Sequence, residues 1–325
     1  SYISDSITEE IRQKLRLTHF KVIFQEAQSY RQDKDWERAI SGFEDALKLL
    51  EGLQDGEKLS FAEQVNSSLI KCRFEAQKAQ GDLYFSKSDW QKATAFYNQA
   101  LSVIQGTDLL PEKSTYSISQ SNQRAELYAT IASGNKAFAS GKWDEAIQSY
   151  THGSQILQQH TGLFNQTDAT VTRKKLDKII QQTSIIRDRQ DIKAMVADGN
   201  YSGAIEKYRR ILSDIQNSSF SKEKEFVETE DEITVELAAL EEKQFYEERE
   251  QYLEDNYQSL FGSVYTTSVP SNLSNPIITL HKEVGEKVIF KLQCVESGRG
   301  RPLTLVLHYA YDKRAKNWSF YSEGK

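Results

Sequence analysis

The stretch "KSDWQKATAFYNQAL", Lys87–Leu101, decides how the chain reads. Ala93 lies three residues after Trp90, four before Tyr97 and seven before Ala100. Those offsets place the four side chains on one face of an α-helix, so the segment is expected to bury a single stripe. A small residue between two rings marks the point where a neighbouring helix comes close. Working outward, "DKDWERAISGFEDAL" (33–47), "SGKWDEAIQSYTHGS" (140–154) and "DGNYSGAIEKYRRIL" (198–212) repeat the arrangement. Ala39, Ala93, Ala146 and Ala204 follow Trp36, Trp90, Trp143 and Tyr201, and precede Phe43, Tyr97, Tyr150 and Tyr208. Ala46, Ala100, Gly153 and Ile211 complete the stripe.

Twelve residues before each alanine stand Ala27, Gly81, Gly134 and Ile192, which puts a second small contact on a preceding helix in the first three copies. The unit is a helix–turn–helix pair, present four times. Asp35, Asp89 and Asn200 stand where the second helix starts, each with a side-chain oxygen able to accept from the helix's first free N–H groups. Lys142 holds that place in the third copy and has no such oxygen. Gly52, Gly106 and Gly162 stand where the second helix should stop, giving second helices of about 17 to 20 residues. Trp36, Trp90 and Trp143 recur at one structural position, so they read as inter-helix packing rather than ligand-stacking rings.

This spacing of small and aromatic residues, clearest in "GDLYFSKSDWQKATAFYNQAL" (81–101), resembles the tetratricopeptide repeat (TPR). The period departs from that family. The alanines are 54, 53 and 58 residues apart, whereas the family's unit is about 34 residues. Sharing the surplus of about 20 residues equally would lengthen each helix by about 15 Å, with first helices of about 25 to 30 residues. The resemblance covers about residues 15–218 and implies a mainly α fold: a TPR-like helical-hairpin solenoid of four long repeats, stacked into an elongated right-handed array.

Charge marks the boundaries that follow. Residues 1–220 carry 28 basic and 28 acidic groups, whereas 221–255 carry 4 and 14. Phe226, Ile233, Leu237, Leu240, Phe245, Tyr246 and Leu253 give that acidic segment an apolar stripe, so a long amphipathic helix closing the last repeat is expected. "SLFGSVYTTSVPSNLSNP" (259–276) is uncharged and rich in turn formers, and reads as a linker. "IITLHKEV", "KVIFKLQCVES", "PLTLVLHYAYD" and "WSFYS" then read as strands of a small antiparallel unit. With 9 basic and 5 acidic groups in 276–325, docking on the acidic helix by opposite charge is expected. The expected division is 1–220 for the helical repeats, 221–257 for the acidic capping helix and 258–325 for the linker and small antiparallel β-unit.

Several function classes find no support in the chain. No run approaches the length of about 18 apolar residues that a membrane span needs, so no span is expected in this chain. Its compartment stays open, cytoplasmic or extracytoplasmic with a removed anchor or signal. The net charge of −6 argues against nucleic acid, and "SGRGRP" (297–302) reads as a solvated hairpin connection. Cys72 and Cys294 have no disulfide or metal spacing, and none of the five histidines has a ligand at a recognised spacing. No phosphate-binding glycine loop or nucleophile elbow occurs. The expectation is no catalytic residue, no cofactor, no metal and no enzymatic activity.

What the resemblance implies is a protein or peptide partner held in a concave groove lined by first helices. Candidate groove residues are Phe24 and Arg31 on the first, Lys78 and Phe85 on the second, Tyr128, Asn135 and Phe138 on the third, and Arg189 and Lys193 on the fourth. Family members that clamp a C-terminal carboxylate use Lys, Asn and Arg at inward positions, where this chain has Gln28, Asp82, Asn135 and Lys193. Only the last two suit, so that clamp is not expected. The reading is a non-enzymatic interaction scaffold of undetermined oligomeric state. Two others stay open: an extracytoplasmic or membrane-tethered assembly factor whose anchor is missing, and a regulatory domain of an enzyme.

Overall fold

The computed structural model describes residues 2–53, 55–264, 273–274, 276–296 and 302–322. Residues 265–272 and 275 of the expected linker, and 297–301 of the "SGRGRP" loop with Arg299 and Arg301, lie outside the described residues. Two compact units divide the chain, Ser1–Arg187 and Asp188–Lys325. The first holds α1 (Tyr2–Gln32), α2 (Trp36–Leu50), α3 (Asp55–Ser86), α4 (Trp90–Ile104), α5 (Glu112–Ala139) and α6 (Trp143–Gln159). A short 3-10 turn, Thr161–Leu163, leads into α7 (Gln166–Ala197), which continues into the second unit. There α8 (Tyr201–Gln216) and α9 (Lys224–Val264) precede the strands. α1, α3 and α5 each pair with the short helix that follows, and α2 and α4 each pack on the next long one.

The surplus is not shared equally within the hairpins. First helices have 31, 32, 28 and 32 residues, second helices only 15, 15, 17 and 16. A second helix ends with its apolar stripe: Ala39, Phe43, Ala46 and Leu50 are buried in α2, and Ala93, Tyr97, Ala100 and Ile104 in α4. Past that point nothing rewards another turn. Gly52, Gly106 and Gly162 therefore fall two or three residues beyond the helix end, and of these Gly106 takes a left-handed φ of 76°.

One turn geometry closes all four hairpins. Lys34, Ser88, Gly141 and Gly199 have φ of 61°, 59°, 69° and 75°. The next N–H in each case bonds back to the long helix: Asp35 to Tyr30 O at 2.9 Å, Asp89 to Tyr84 O at 3.0 Å, Lys142 to Ala137 O at 3.0 Å and Asn200 to Met195 O at 2.8 Å. This is a Schellman closure. The same residue then opens the short helix. Asp35, Asp89 and Asn200 accept from the N–H groups of Arg38, Lys92 and Gly203. Lys142 makes no cap bond and pairs with Glu145 at 2.8 Å instead.

Close approach explains the small residues. A Cβ on Gly81 would lie 2.5 Å from the Tyr97 ring, and one on Gly134 2.6 Å from Tyr150. In the first copy the gap moves across the interface, where a Cβ on Gly42 would lie 2.8 Å from that of Ala27. The first three copies thus each have a core of their own: Ala39, Phe43 and Cys72 with Phe20; Tyr97, Ala100 and Ile118; Tyr150, Leu127 and Leu176.

In the second unit α9 packs along α8 and runs to Val264, past the expected end at 257. Its buried Phe226, Ile233 and Leu240 form one stripe. The strands β1 (Ile277–Val284), β2 (Lys287–Glu296), β3 (Leu303–Asp312) and β4 (Asn317–Phe320) form an antiparallel sheet in sequence order, with β1 irregular between Leu280 and Lys282. Val288, Phe290, Leu292, Cys294, Leu305 and Leu307 bury against Leu253 and Phe261 of α9. Among the described residues the docking surface is apolar and aromatic. The Arg249 guanidinium, itself on the helix, sits 4.2 Å from the Phe245 ring centroid and 4.5 Å from that of Tyr311. Leu253 is roughly on the opposite side of α9 from Leu240, since thirteen residues at about 100° each advance the helix by well over three turns.

Candidate functional site

Two of the inward first-helix positions are taken up by tyrosine. Asp82 Oδ1 accepts from the Tyr97 hydroxyl at 2.8 Å, and Asn135 Oδ1 from the Tyr150 hydroxyl at 2.8 Å. Burial and the Asp82 carboxylate push the Tyr97 phenol well above its ordinary pKa. The first copy has Phe43, so Gln28 needs no such role and lies 3.4 Å from Ser68 Oγ. The fourth copy has Lys193, which cannot accept, and Tyr208 turns to Glu236 of α9 at 2.8 Å. Each hydroxyl finds an acceptor because it is largely buried.

The remaining groove candidates fall into different roles. In the first unit Phe24 packs on Phe20 and Phe43, with centroids 5.8 and 5.6 Å away. Arg31 is half-buried on α1, and Lys78 pairs with Asp82 at 2.7 Å. Phe85 meets Trp90 edge-on at 4.9 Å and lies under Arg124. Tyr128 closes the same cluster, 4.9 Å from Trp90, yet stays 39% exposed. Phe138 stands edge-on to Trp143 at 5.3 Å and is 37% exposed. The tryptophans are the shelf and the outer rings are what solvent reaches.

In the second unit Lys193 is exposed, but Arg189 is committed to α9. It bonds Glu232 at 3.0 Å and Glu236 at 2.5 Å. Burial works against its charge, but the two carboxylates outweigh that and raise its pKa. Arg209–Glu241 at 2.5 Å and Gln216–Glu230 at 2.7 Å continue the seam. The acidic helix spends much of its charge on its own neighbour, and Arg189 is a fastening rather than an open groove cation.

Folding also creates two features that no sequence spacing announced. His281 on β1 and His308 on β3 lie 4.5 Å apart between ring centroids, brought together across β2. Among the described residues, no group of three or more His, Cys, Asp and Glu could hold a metal ion. In the first unit a cleft of about 690 Å³ opens between α4 and α6 over α5. It is lined by Gln91, Ala129, Thr130, Ser133, Gln148, Ser149, Thr151, His152 and Gln155. None of the expected groove residues lines it. A run of isolated Gln, Ser and Thr on exposed faces of separate helices carries no periodic signal.

No family model and no curated protein matches the chain. Among solved structures it is similar to a putative kinesin light chain with nearly identical TPR-like repeats from Podosopora anserina, with 13% identity, 77% of this chain and 98% of that chain covered, and a TM-score of 0.15. A second crystal structure of that protein, a single-substitution variant, gives 13% identity over 77% and 97% with a TM-score of 0.14. Such scores describe no common superposition, so the fold is read from the hairpins of this chain. Among the described residues no helix is long and apolar enough to cross a membrane. With an aromatic before the alanine and one Schellman turn in each hairpin, and a glycine against a tyrosine ring in the second and third, the chain folds as TPR-like helical hairpins with long first helices, an acidic helix packed on the last short one and a small antiparallel sheet.

Proposed function

We propose that the chain is a non-enzymatic scaffold that holds a peptide or protein segment against the outer rings of its first helices. The observation that carries this reading is the repeated shelf: Tyr128 beside Trp90 and Phe138 beside Trp143, each ring fixed on one side and open on the other. A rigid, half-exposed aromatic contributes contact area at low cost in conformational entropy, as anchor residues at interfaces do. Arg124 adds a cation beside the first shelf.

The test is selection of random peptides displayed on phage, on the parent chain and on Tyr128→Ala with Phe138→Ala. Both substitutions remove partly exposed rings, so circular dichroism should show an unchanged helix content. Peptides enriched on the parent should bind the double variant at least about tenfold more weakly, a loss of about 1.4 kcal/mol. Equal binding to a folded variant would show that the rings are packing only.

A further inference from the structure

The cleft between α4 and α6 has a chemistry of its own. Gln148, His152 and Gln155 lie on one face of α6, Gln91 faces them from the start of α4, and Thr130 and Ser133 of α5 form the floor. No carboxylate, ammonium or guanidinium lines it, in a chain of which 27% is charged. Gln91, Gln148 and Gln155 make no side-chain hydrogen bond to the described residues, unlike Asn135, whose amide oxygen serves a tyrosine. Three amides with both donor and acceptor unused therefore surround one concave surface.

The geometry points to a binding site for an extended, uncharged peptide segment, read through its backbone. An amide side chain offers a donor and an acceptor side by side, the complement of the N–H and C=O that one residue of an extended chain presents on the same edge. Gln148 and Gln155 are seven residues apart, about 10.5 Å along the helix at about 1.5 Å per residue. Residues of an extended chain that present N–H and C=O on the same edge are an even number apart, about 7 Å for two and about 13 Å for four, so the two flexible glutamines can address residues two or four apart on one strand. Between them His152, 3.9 Å from Glu126, is the only titratable group in the lining. A charged ligand side chain would find no fixed counter-ion among the lining residues, which selects against it.

This site is separate from the ring surface, and one selection distinguishes the two. Displayed random peptides enriched on the parent chain are tested on Gln148→Ala with Gln155→Ala and, in parallel, on Tyr128→Ala with Phe138→Ala. Alanine is the better helix former at both exposed glutamine positions, so folding is retained. An uncharged class of peptides should lose at least about tenfold in affinity on the glutamine variant and bind the ring variant as it binds the parent. A synthetic copy of such a peptide, N-methylated at alternate residues, should lose binding to the parent, because it keeps its side chains but not its backbone donors. The inference is overturned if no uncharged peptide is enriched, if enriched peptides ignore the glutamine substitutions, or if the N-methylated copy binds as tightly. Peptides sensitive to the ring variant alone would uphold the scaffold reading and overturn this one.

Discussion

Lys34 and Ser88 hold φ of 61° and 59° at the place where Gly141 and Gly199 stand in the later copies. An L-residue with a Cβ in that region costs roughly 1 to 2 kcal/mol, while glycine gives back roughly 0.5 to 1 kcal/mol in backbone entropy. Ser88→Gly and Lys34→Gly should therefore each stabilise the first unit by about 0.5 to 1 kcal/mol. Urea unfolding followed by circular dichroism would show the midpoint rise. A fall would mean that the turn owes its shape to the side chain rather than to the fold. At the same scale, Gly81 and Gly134 are glycines for a different reason, a tyrosine ring within 2.6 Å of a would-be Cβ. The sequence marked these two sites as small. It did not mark the left-handed turn, because Lys, Ser and Gly share no property other than the conformation that tertiary packing imposes.

Among the elements, the junction of α8 and α9 concentrates the titratable groups. Tyr208, held by Glu236, is pushed up to about 12 by burial first and by the carboxylate's hydrogen bond and charge second, from an ordinary 10.0. A folded-state pKa above the unfolded one favours folding while the phenol is neutral. That contribution is fully present below pH 10 and is lost as pH rises toward about 12. Tyr246, whose hydroxyl donates to Glu283, is also raised to about 12 and adds to the slope. Tyr208→Phe should lower stability near neutral pH by about 1 kcal/mol and make the thermal midpoint less sensitive to pH above 10. An unchanged alkaline slope would place the titration elsewhere. α9 itself was legible as an acidic amphipathic helix closing the last repeat, but the side chains it meets were not, since a stripe of Phe226, Ile233 and Leu240 says that something is buried and not which residues cover it.

For the whole molecule, the second unit closes with a sheet packed on α9. Leu253 and Phe261 have no exposed surface because Phe290, Leu292 and Leu307 cover them. Deleting residues 276–325 would uncover that surface together with the Phe245, Tyr246 and Arg249 cluster. Light scattering on the shortened chain should show self-association at concentrations where the parent is monodisperse, with helix content largely kept. A shortened chain that behaves like its parent would show that α9 needs no cover.

The repeat was readable before folding: four alanines in phase with their aromatics, three capping residues, one position without a cap, and strands whose β-branched and aromatic residues needed no partner to be seen. Each of these is a local regularity, set by helix and strand periodicity over a few residues. Tertiary structure decided how the surplus length fell almost wholly to the first helices, which rings stayed open, that Arg189 fastens α9, and that three uncommitted glutamines meet at one cleft. Those depend on which faces are left after packing. Side chains far apart in the chain compete for the same partners, and periodicity records the stripe but not the outcome of that competition.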